Sequence, residues 1–299
     1  MEFNAESALT DWEKDDIILG IDEAGRGPVL GPMVYACAYW KKEYDDAIKK
    51  KFKFNDSKAL KAEEREKMYA DIKSHPNIIH YELIILPPEL ISSDMLKREK
   101  ISLNQISHDS ALNLIKMALN KKSNIKEVYV DTVGPPDKYQ KFLGDGLNNK
   151  NIIVTVKAKA DAEYPCVSAA SIVAKVTRDH MIEKLDLQDK NCGSGYPSDP
   201  KTVEWLERNY DNIFGFGREV RFSWKTVGNL FKEKDNKCEW EDYNSDEENE
   251  KNKKKQHNDG NQKKIFEEEL INEQNKNLLA REQKKGFYEK NNIDYDVSL

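Results

Sequence analysis

Two adjacent carboxylates, Asp22 and Glu23, stand where an apolar run ends and a glycine-rich segment begins, in the stretch IILGIDEAGRGPVLGPM. An apolar run of this kind is typical of a buried strand, so the two acids are expected at the edge of a sheet. Two interpretations are open. Asp22 either starts an ordinary turn, or the pair supplies half of a site for divalent metal and phosphate, with glycines that let a ligand approach the backbone.

The glycines of this segment, Gly25, Gly27 and Gly31, do not form a dinucleotide-binding loop. Their spacing is G-x-G-x-x-x-G, whereas that loop needs G-x-G-x-x-G and opens a helix. Pro28 and Pro32 oppose a helix across this segment, because proline lacks a backbone N–H and restricts the residue before it. A function that uses a nicotinamide cofactor is therefore set aside.

Two further acids follow later apolar runs and repeat the pattern. Asp131 comes directly after residues 127–130, and Asp161 lies just past the β-branched residues 151–156. Two Mg²⁺ ions a few ångströms apart require several shared carboxylate oxygens, so convergence of these strand ends would suit metal-dependent phosphoryl chemistry. Spacing alone leaves that convergence a hypothesis.

The elements that must position these acids are five strands and several helices. The predicted strands begin near Ile17 and then cover 32–40, 78–86, 127–130 and 151–156. The second strand is expected to be antiparallel to the first. The predicted helices cover 54–74, 104–119, 168–180 and 200–209. Asp56 or Ser57 is expected to cap the first of these helices, and Ser198 or Asp199 the last.

Other residues carry alternative roles that the sequence leaves open. Ser57 and Lys58 either cap a helix or contact phosphate at its N-terminus. Arg178 is expected on or near an exposed face, either as a solvating charge or as a phosphate contact. Tyr196 lies between loop-forming residues, where a buried loop anchor is the commonest role. Residues 214–225 mix aromatic and basic side chains, which suits nucleic acid and equally suits a domain edge.

Composition limits the classes of function. The chain of 299 residues has a net charge of −6, so contact with nucleic acid must rest on a local patch. The four cysteines show no C-x-x-C spacing and the histidines no H-E-x-x-H pair, which argues against a zinc ribbon and a disulfide framework. Neither a signal peptide nor a membrane-spanning apolar run is visible, so we expect a soluble intracellular protein without a membrane partner.

Four strings, GIDEAGRGPVLGPM, YVDTVG, KAKADAEYPCVSAASIVAK and GSGYPSDPKT, closely resemble the type 2 ribonuclease H (ribonuclease HII) family, and most closely the catalytic subunit of its eukaryotic members. They occur in the right order between about residues 17 and 225. The resemblance implies an α/β fold of the RNase H type. Its mixed five-stranded sheet, three antiparallel strands followed by two parallel ones, would be flanked by helices, with a small helical C-terminal region.

The resemblance also implies roles for individual residues. Four acids match the metal-binding catalytic acids of the family and would hold two Mg²⁺ ions, or Mn²⁺ in their place: Asp22, Glu23, Asp131 and Asp161. The implied substrate-binding residues are, in chain order, Gly25, Arg26, Gly27, Ser57, Lys58, Arg178 and Tyr196.

The first three of these match the loop that senses the ribose 2′-hydroxyl. Tyr196 matches a tyrosine that stacks beside the nucleotide after the ribose. Ser57 and Lys58 lie in a DSK segment that would contact phosphate, and Arg178 lies in a K-V-x-R-D segment beside the site.

The activity implied by the family is endonucleolytic hydrolysis of RNA in RNA:DNA hybrids and cleavage 5′ of single ribonucleotides embedded in duplex DNA. The eukaryotic branch further implies two non-catalytic accessory subunits, a nuclear location, and a role in ribonucleotide removal during DNA replication and repair. Two alternatives stay open. One is a non-catalytic scaffold that binds hybrids, and the other is a resolvase or transposase nuclease that ignores the 2′-hydroxyl.

Four regions are expected along the chain. An N-terminal extension covers residues 1–16, the catalytic domain 17–190, the helical C-terminal region 191–235 and a charged tail 236–299. The tail is rich in acidic residues, Asn and Lys, and cannot bury enough apolar area to fold by itself, so most of it is expected to be disordered.

Overall fold

A computed structural model describes residues 14–52, 54, 60–121, 124–149, 151–185 and 191–234. Its sheet has five strands, β1 (Ile17–Ala24), β2 (Met33–Lys41), β3 (His80–Leu86), β4 (Ile125–Asp131) and β5 (Ile153–Lys157). The strand order is β3-β2-β1-β4-β5. β1 pairs antiparallel with β2, and β2 with β3, whereas β1/β4 and β4/β5 are parallel pairs. The predicted mixed sheet is therefore confirmed.

Eight α-helices accompany the sheet in the described part of the chain. They are α1 (Asp45–Phe52), α2 (Ala62–Lys73), α3 (Pro88–Leu96), α4 (Leu103–Asn120), α5 (Pro136–Leu147), α6 (Pro165–Glu183), α7 (Pro200–Arg208) and α8 (Lys225–Glu233). The sequence pattern predicted α4, α6 and α7 but not α1, α3, α5 or α8.

Two expectations about helix starts have different outcomes. Asp199 caps α7, as one of the two predicted candidates, and its side chain accepts a hydrogen bond from the Lys201 amide. The predicted start of α2 is wrong, because the helix begins at Ala62 and Lys61 occupies the cap position. Asp56, Ser57 and Lys58, with the rest of 55–59, lie outside the described residues.

The central strand β1 is buried on both faces, and its apolar residues show to which face each of its two acids belongs. Ile17, Leu19 and Ile21 pack with α4 and α5, whereas Ile18 and Ala24 pack with α1, α2 and α6. Successive side chains of a strand project to opposite faces. Asp22 therefore belongs to the α6 face of the sheet, and Glu23 belongs to the opposite face.

Gly20 allows α6 to lie directly on β1. A Cβ atom at Gly20 would stand 2.2 Å from the carbonyl carbon of Cys166 and 2.2 Å from the amide nitrogen of Val167, both in the first turn of α6. Backbone atoms cannot move aside as a flexible side chain can. The absence of a side chain at this position therefore sets the distance between α6 and the strand that carries Asp22.

The region after residue 190 packs against the glycine-rich segment. Val29 and Leu30 share a buried cluster with Trp205, Val220 and Phe231. Main-chain hydrogen bonds run from Val29 N to Gly195 O, from Gly31 N to Glu219 O and from Arg221 N to Val29 O, at 2.8, 2.8 and 2.9 Å. The domain boundaries given above stay predictions. Residues 1–13 of the extension and the tail from 236 lie outside the described residues.

Among the helices of the described residues, none is long and apolar enough to cross a membrane.

Replacing Gly20 by Ala is expected to lower the free energy of unfolding by about 1–3 kcal/mol or more, because the new Cβ overlaps the α6 backbone. Gly144→Ala is the matched control, since nothing lies within 4 Å of a Cβ at this exposed position of α5. The control should be neutral or stabilising by about 0.5–1 kcal/mol. Urea denaturation measures both, and a Gly20→Ala variant as stable as the wild type would contradict the close packing.

Candidate active site

Asp22 and Asp131 lie side by side on neighbouring parallel strands. The register pairs Ile21 with Val130, so the next residue on each strand is one of the two acids. Val130 packs on the α4–α5 face, which places Asp131 on the α6 face together with Asp22. The sheet thus brings two carboxylates together at the carboxyl ends of β1 and β4.

Burial makes this pair electrostatically unfavourable without a cation. Asp22 is only 4% exposed. Its burial, and next the negative charge of Asp131, raise the pKa of Asp22 from 3.8 to about 7. Hydrogen bonds from the Ser171 side chain and the Glu23 amide, and the charge of Lys175, act in the opposite direction. Ser171 and Lys175 of helix α6 therefore stabilise the Asp22 carboxylate in part, but the pKa of Asp22 stays raised.

Asp161 joins the pair through a short 3₁₀ helix of residues 160–162 that follows β5. Lys159, before this helix, has a left-handed backbone with φ of 58°. The Ala160 amide then donates to Asp131 Oδ1 at 3.0 Å. Asp161 is 2% exposed. The turn therefore ties the segment that carries Asp161 to the carboxylate of Asp131.

Glu23 reaches the same end of the sheet from the other face. Glu23 pairs across the strands with Tyr35 of β2. Burial is the main cause that raises the pKa of Tyr35 and of Tyr139, and the charge of Glu23 is the second. The charges of Asp22 and Asp131 also act on Tyr139. Glu23, Asp22 and Asp131 are thus all within electrostatic range of the Tyr139 phenol.

The four predicted acids suit a hard divalent cation, because each offers carboxylate oxygens, the ligands that Mg²⁺ prefers. No three His, Cys, Asp or Glu side chains of the described residues are close enough to hold an ion by themselves. Mg²⁺ does not need such a cage, since it is commonly bound by one or two carboxylates together with water and substrate phosphate. The metal-ligand role of the four acids stays a prediction.

The glycine-rich loop lies against two of the predicted substrate-binding residues. Gly25 has φ of +78°, and a Cβ there would stand 2.2 Å from Arg178 Nε. A Cβ at Gly27 would stand 3.0 Å from Tyr196 Cε1. Tyr196 is 46% exposed, so its interpretation as a buried loop anchor is wrong. The structure brings Tyr196, Arg178 and the loop together.

The Arg178 side chain is less exposed than the sequence pattern of its helix predicted. Only 12% of its side chain is accessible, so the interpretation as a solvating charge is wrong. Its Nε and Nη2 atoms are buried and have no hydrogen-bond partner among the described residues. Donors left in this state next to a loop of glycines favour an anionic ligand.

The Arg26 side chain binds helix α4. Its Nη2 donates to the side-chain oxygen of Asn104 in the first turn of α4, and the sequence pattern gave no sign of this contact. The predicted contribution of Arg26 to ribose recognition would therefore come from its backbone or from a rearranged side chain. Ser57 and Lys58 lie outside the described residues, so their position relative to the acids stays a prediction.

Two residues of the 214–225 segment, which the sequence analysis noted only as suited to nucleic acid or to a domain edge, bind the carbonyls of the loop. Arg221 is fully buried and donates from Nε to Gly31 O at 2.9 Å, from Nη1 to Arg26 O at 3.0 Å and from Nη2 to Gly25 O at 2.5 Å. Trp224 Nε1 donates to Gly27 O at 2.9 Å. Four loop carbonyls therefore take their donors from a segment about 190 residues away in the sequence.

The Arg221 guanidinium also lies over the Trp224 ring, 4.8 Å from its centroid. Burial, and next the charge of Arg178, lower the pKa of Arg221 to about 9. The signal for Arg221 in the sequence is a lone basic residue inside the apolar and aromatic stretch VRFSW.

Arg221→Lys is expected to lower the free energy of unfolding by about 1–3 kcal/mol, although it keeps the charge. One ammonium group cannot reach the three carbonyls that the planar guanidinium satisfies. Arg218→Lys, at an exposed position nearby in the chain, is the matched control and should change stability little. Urea denaturation compares the two, and equal midpoints would contradict a clamping role for Arg221.

Comparisons with known proteins agree on one family. The family model for Ribonuclease HII matches residues 19–227. The A subunit of ribonuclease H2 from Bos taurus is 46% identical over 235 residues, which cover 77% of this chain and 78% of that protein. Its counterpart from Homo sapiens is also 46% identical, with 77% of each chain covered.

A solved structure leads to the same conclusion. The ribonuclease H2 of Pyrococcus horikoshii superposes with a TM-score of 0.64 at 33% identity, covering 74% of this chain and all of that chain. The family model covers β1 from Leu19 onward, the other four strands, the glycine-rich loop and Arg221. The chain therefore belongs to the ribonuclease HII family of ribonuclease H enzymes, together with these ribonuclease H2 proteins.

Proposed function

We propose that this ribonuclease H hydrolyses RNA in RNA:DNA hybrids and cuts 5′ of single ribonucleotides embedded in duplex DNA by two-metal-ion catalysis. The observation that carries the proposal is the pair of neighbouring carboxylates at the edge of the sheet beside a glycine-rich loop, buried Asp22 and half-buried Asp131. A like charge beside a buried carboxylate destabilises the metal-free fold, and a divalent cation shared between the two acids would reverse that effect.

In the proposed reaction, water attacks the phosphorus atom on the 5′ side of the ribonucleotide. The bond to the 3′ oxygen of the preceding nucleotide breaks, leaving a 3′-hydroxyl and a 5′-phosphate. Asp22, Glu23, Asp131 and Asp161 would hold two Mg²⁺ ions, or Mn²⁺ in their place. When bound, the ions would supply Lewis-acid stabilisation of the attacking and leaving oxygens.

Recognition of the ribonucleotide would rest on the loop and on Tyr196. Gly25 and Gly27 let Arg178 and Tyr196 come close to the loop backbone, and a 2′-hydroxyl bound beside them could both donate and accept hydrogen bonds. The ring of Tyr196, nearly half exposed and next to Gly27, offers a face on which a base or sugar stacks. The buried donors of Arg178 support phosphate binding at the same place, and Ser57 and Lys58 are proposed as further phosphate contacts.

Assembly and location complete the proposal. The mammalian relatives are named as one subunit of ribonuclease H2, which implies others, and we propose that this chain works with two non-catalytic accessory subunits. We further propose a nuclear location and a role in removing ribonucleotides from DNA during replication and repair. The second candidate function is a non-catalytic scaffold that binds hybrids, and the four acids present in this chain argue against it.

Cleavage of a labelled DNA duplex that contains one ribonucleotide tests the function. With Mg²⁺ and candidate accessory subunits present, the wild type should cut 5′ of the ribonucleotide and leave the all-DNA duplex whole. Asp131→Asn should lower the cleavage rate by more than about 100-fold, since loss of an outer-shell partner alone costs about 10–100-fold. The all-DNA duplex and a 2′-O-methyl version show whether the 2′-hydroxyl is read.

Asp145→Asn is the matched control. Asp145 is an exposed acid on α5, paired with Lys141, and its loss should leave the rate unchanged. An intact duplex with wild-type protein and partners would contradict the catalytic function, and hybrid binding without cleavage would favour the scaffold. Equal rates for Asp131→Asn and Asp145→Asn would remove Asp131 from the site.

A further inference from the structure

Tyr139 occupies a fixed position at the start of α5, on the face of the sheet to which Glu23 also belongs. It lies in the first turn of α5 and is fully buried. Its ring stacks on His108 of α4, with centroids 3.9 Å apart and planes inclined by 13°. His108 is held in turn by a hydrogen bond of 3.1 Å between its Nε2 and the carbonyl of Val133. The loop after β4 and helix α4 therefore set the direction of the Tyr139 phenol.

The hydroxyl of Tyr139 has no hydrogen-bond partner among the described residues. A buried hydroxyl in this state destabilises a fold, and most buried tyrosines avoid it. Tyr39 gives the contrast on the same face of the sheet, because its hydroxyl donates to Glu82 Oε1 at 3.4 Å. A phenylalanine at 139 would fill the same space without that cost.

The acids explain why a hydroxyl belongs here. The pKa of Tyr139 is raised first by burial and then by the charges of Glu23, Asp22 and Asp131, in that order. An un-ionised phenol is a hydrogen-bond donor. Glu23 acts on it most among the acids and lies on the same side of the sheet as α5.

We propose that Tyr139 is a positioning residue whose phenolic hydroxyl donates a hydrogen bond to the Glu23 carboxylate when a divalent cation occupies the site. One carboxylate oxygen would then be fixed by the phenol, and the other would be left for the cation. Partners of this outer-shell kind orient metal ligands and contribute to affinity. The inference rests on the proposed metal-dependent function. It adds Tyr139, which lies outside the four strings that carry the family resemblance.

The test compares Tyr139→Phe with Tyr39→Phe in the full chain. Without divalent cation, Tyr139→Phe should melt at a higher temperature than the wild type, because an unsatisfied hydroxyl is removed, whereas Tyr39→Phe should melt lower. In a titration followed by electron paramagnetic resonance of free Mn²⁺, Tyr139→Phe should bind the ion about 10-fold more weakly. Tyr39→Phe should bind it like the wild type.

Cleavage of the ribonucleotide-containing duplex should fall by about 10-fold in kcat for Tyr139→Phe alone. The inference fails if Tyr139→Phe binds Mn²⁺ as tightly as the wild type, or if it melts lower without cation, which would mean that water already satisfies the hydroxyl. A wild-type chain that binds no Mn²⁺ would instead overturn the metal-dependent function itself, and the inference with it.

Discussion

Repulsion between the carboxylates of buried Asp22 and half-buried Asp131 is the constraint on which the rest of the site depends. The parallel pairing of β1 and β4 forces the two acids to the same face and the same edge. Water screens them poorly there, because Asp22 is almost completely buried under α6. A fold that retains such a pair gives up stability in the metal-free state, and a cation that relieved the repulsion would be bound at the place where we propose that the chemistry occurs.

Two residues, Gly20 and Arg221, maintain the positions of helix α6 and of the glycine-rich loop around this pair of acids. Gly20 lets α6 approach β1, so that Ser171 and Lys175 stand near Asp22. Arg221 clamps the loop that follows β1 by binding its carbonyls, and the residues around it seal the loop with aromatic side chains. The C-terminal region therefore does more than extend the domain, because it fixes the backbone on which ribose recognition would depend. Tyr196 reaches the same loop from a third segment.

The strands could be predicted from the sequence because their apolar runs end in turns or acids, and the mixed order followed from the resemblance. Helices α1, α3, α5 and α8 could not, since each is only 8–12 residues long and short helices depend on tertiary packing for their stability. Helix α7 is equally short, but Asp199 and Pro200 mark its start in the sequence. Within the site, the acids were evident from their position after strands. Arg221 and Tyr139 were not, because Arg221 binds a loop 190 residues away in the sequence and Tyr139 is recognisable only from its burial and its unpartnered hydroxyl.

Thermal unfolding of the wild type and of Asp22→Asn between pH 5 and 8, with and without Mg²⁺, tests the central claim most directly. The folded state holds the Asp22 proton up to about pH 7 while the unfolded chain releases it near 3.8, so this group destabilises the metal-free fold as pH rises through that window. The stability advantage of Asp22→Asn should therefore grow from pH 5 to 8, and Mg²⁺ should stabilise the wild type but not the variant. A difference that does not change with pH, or equal stabilisation of both proteins by Mg²⁺, would contradict the account.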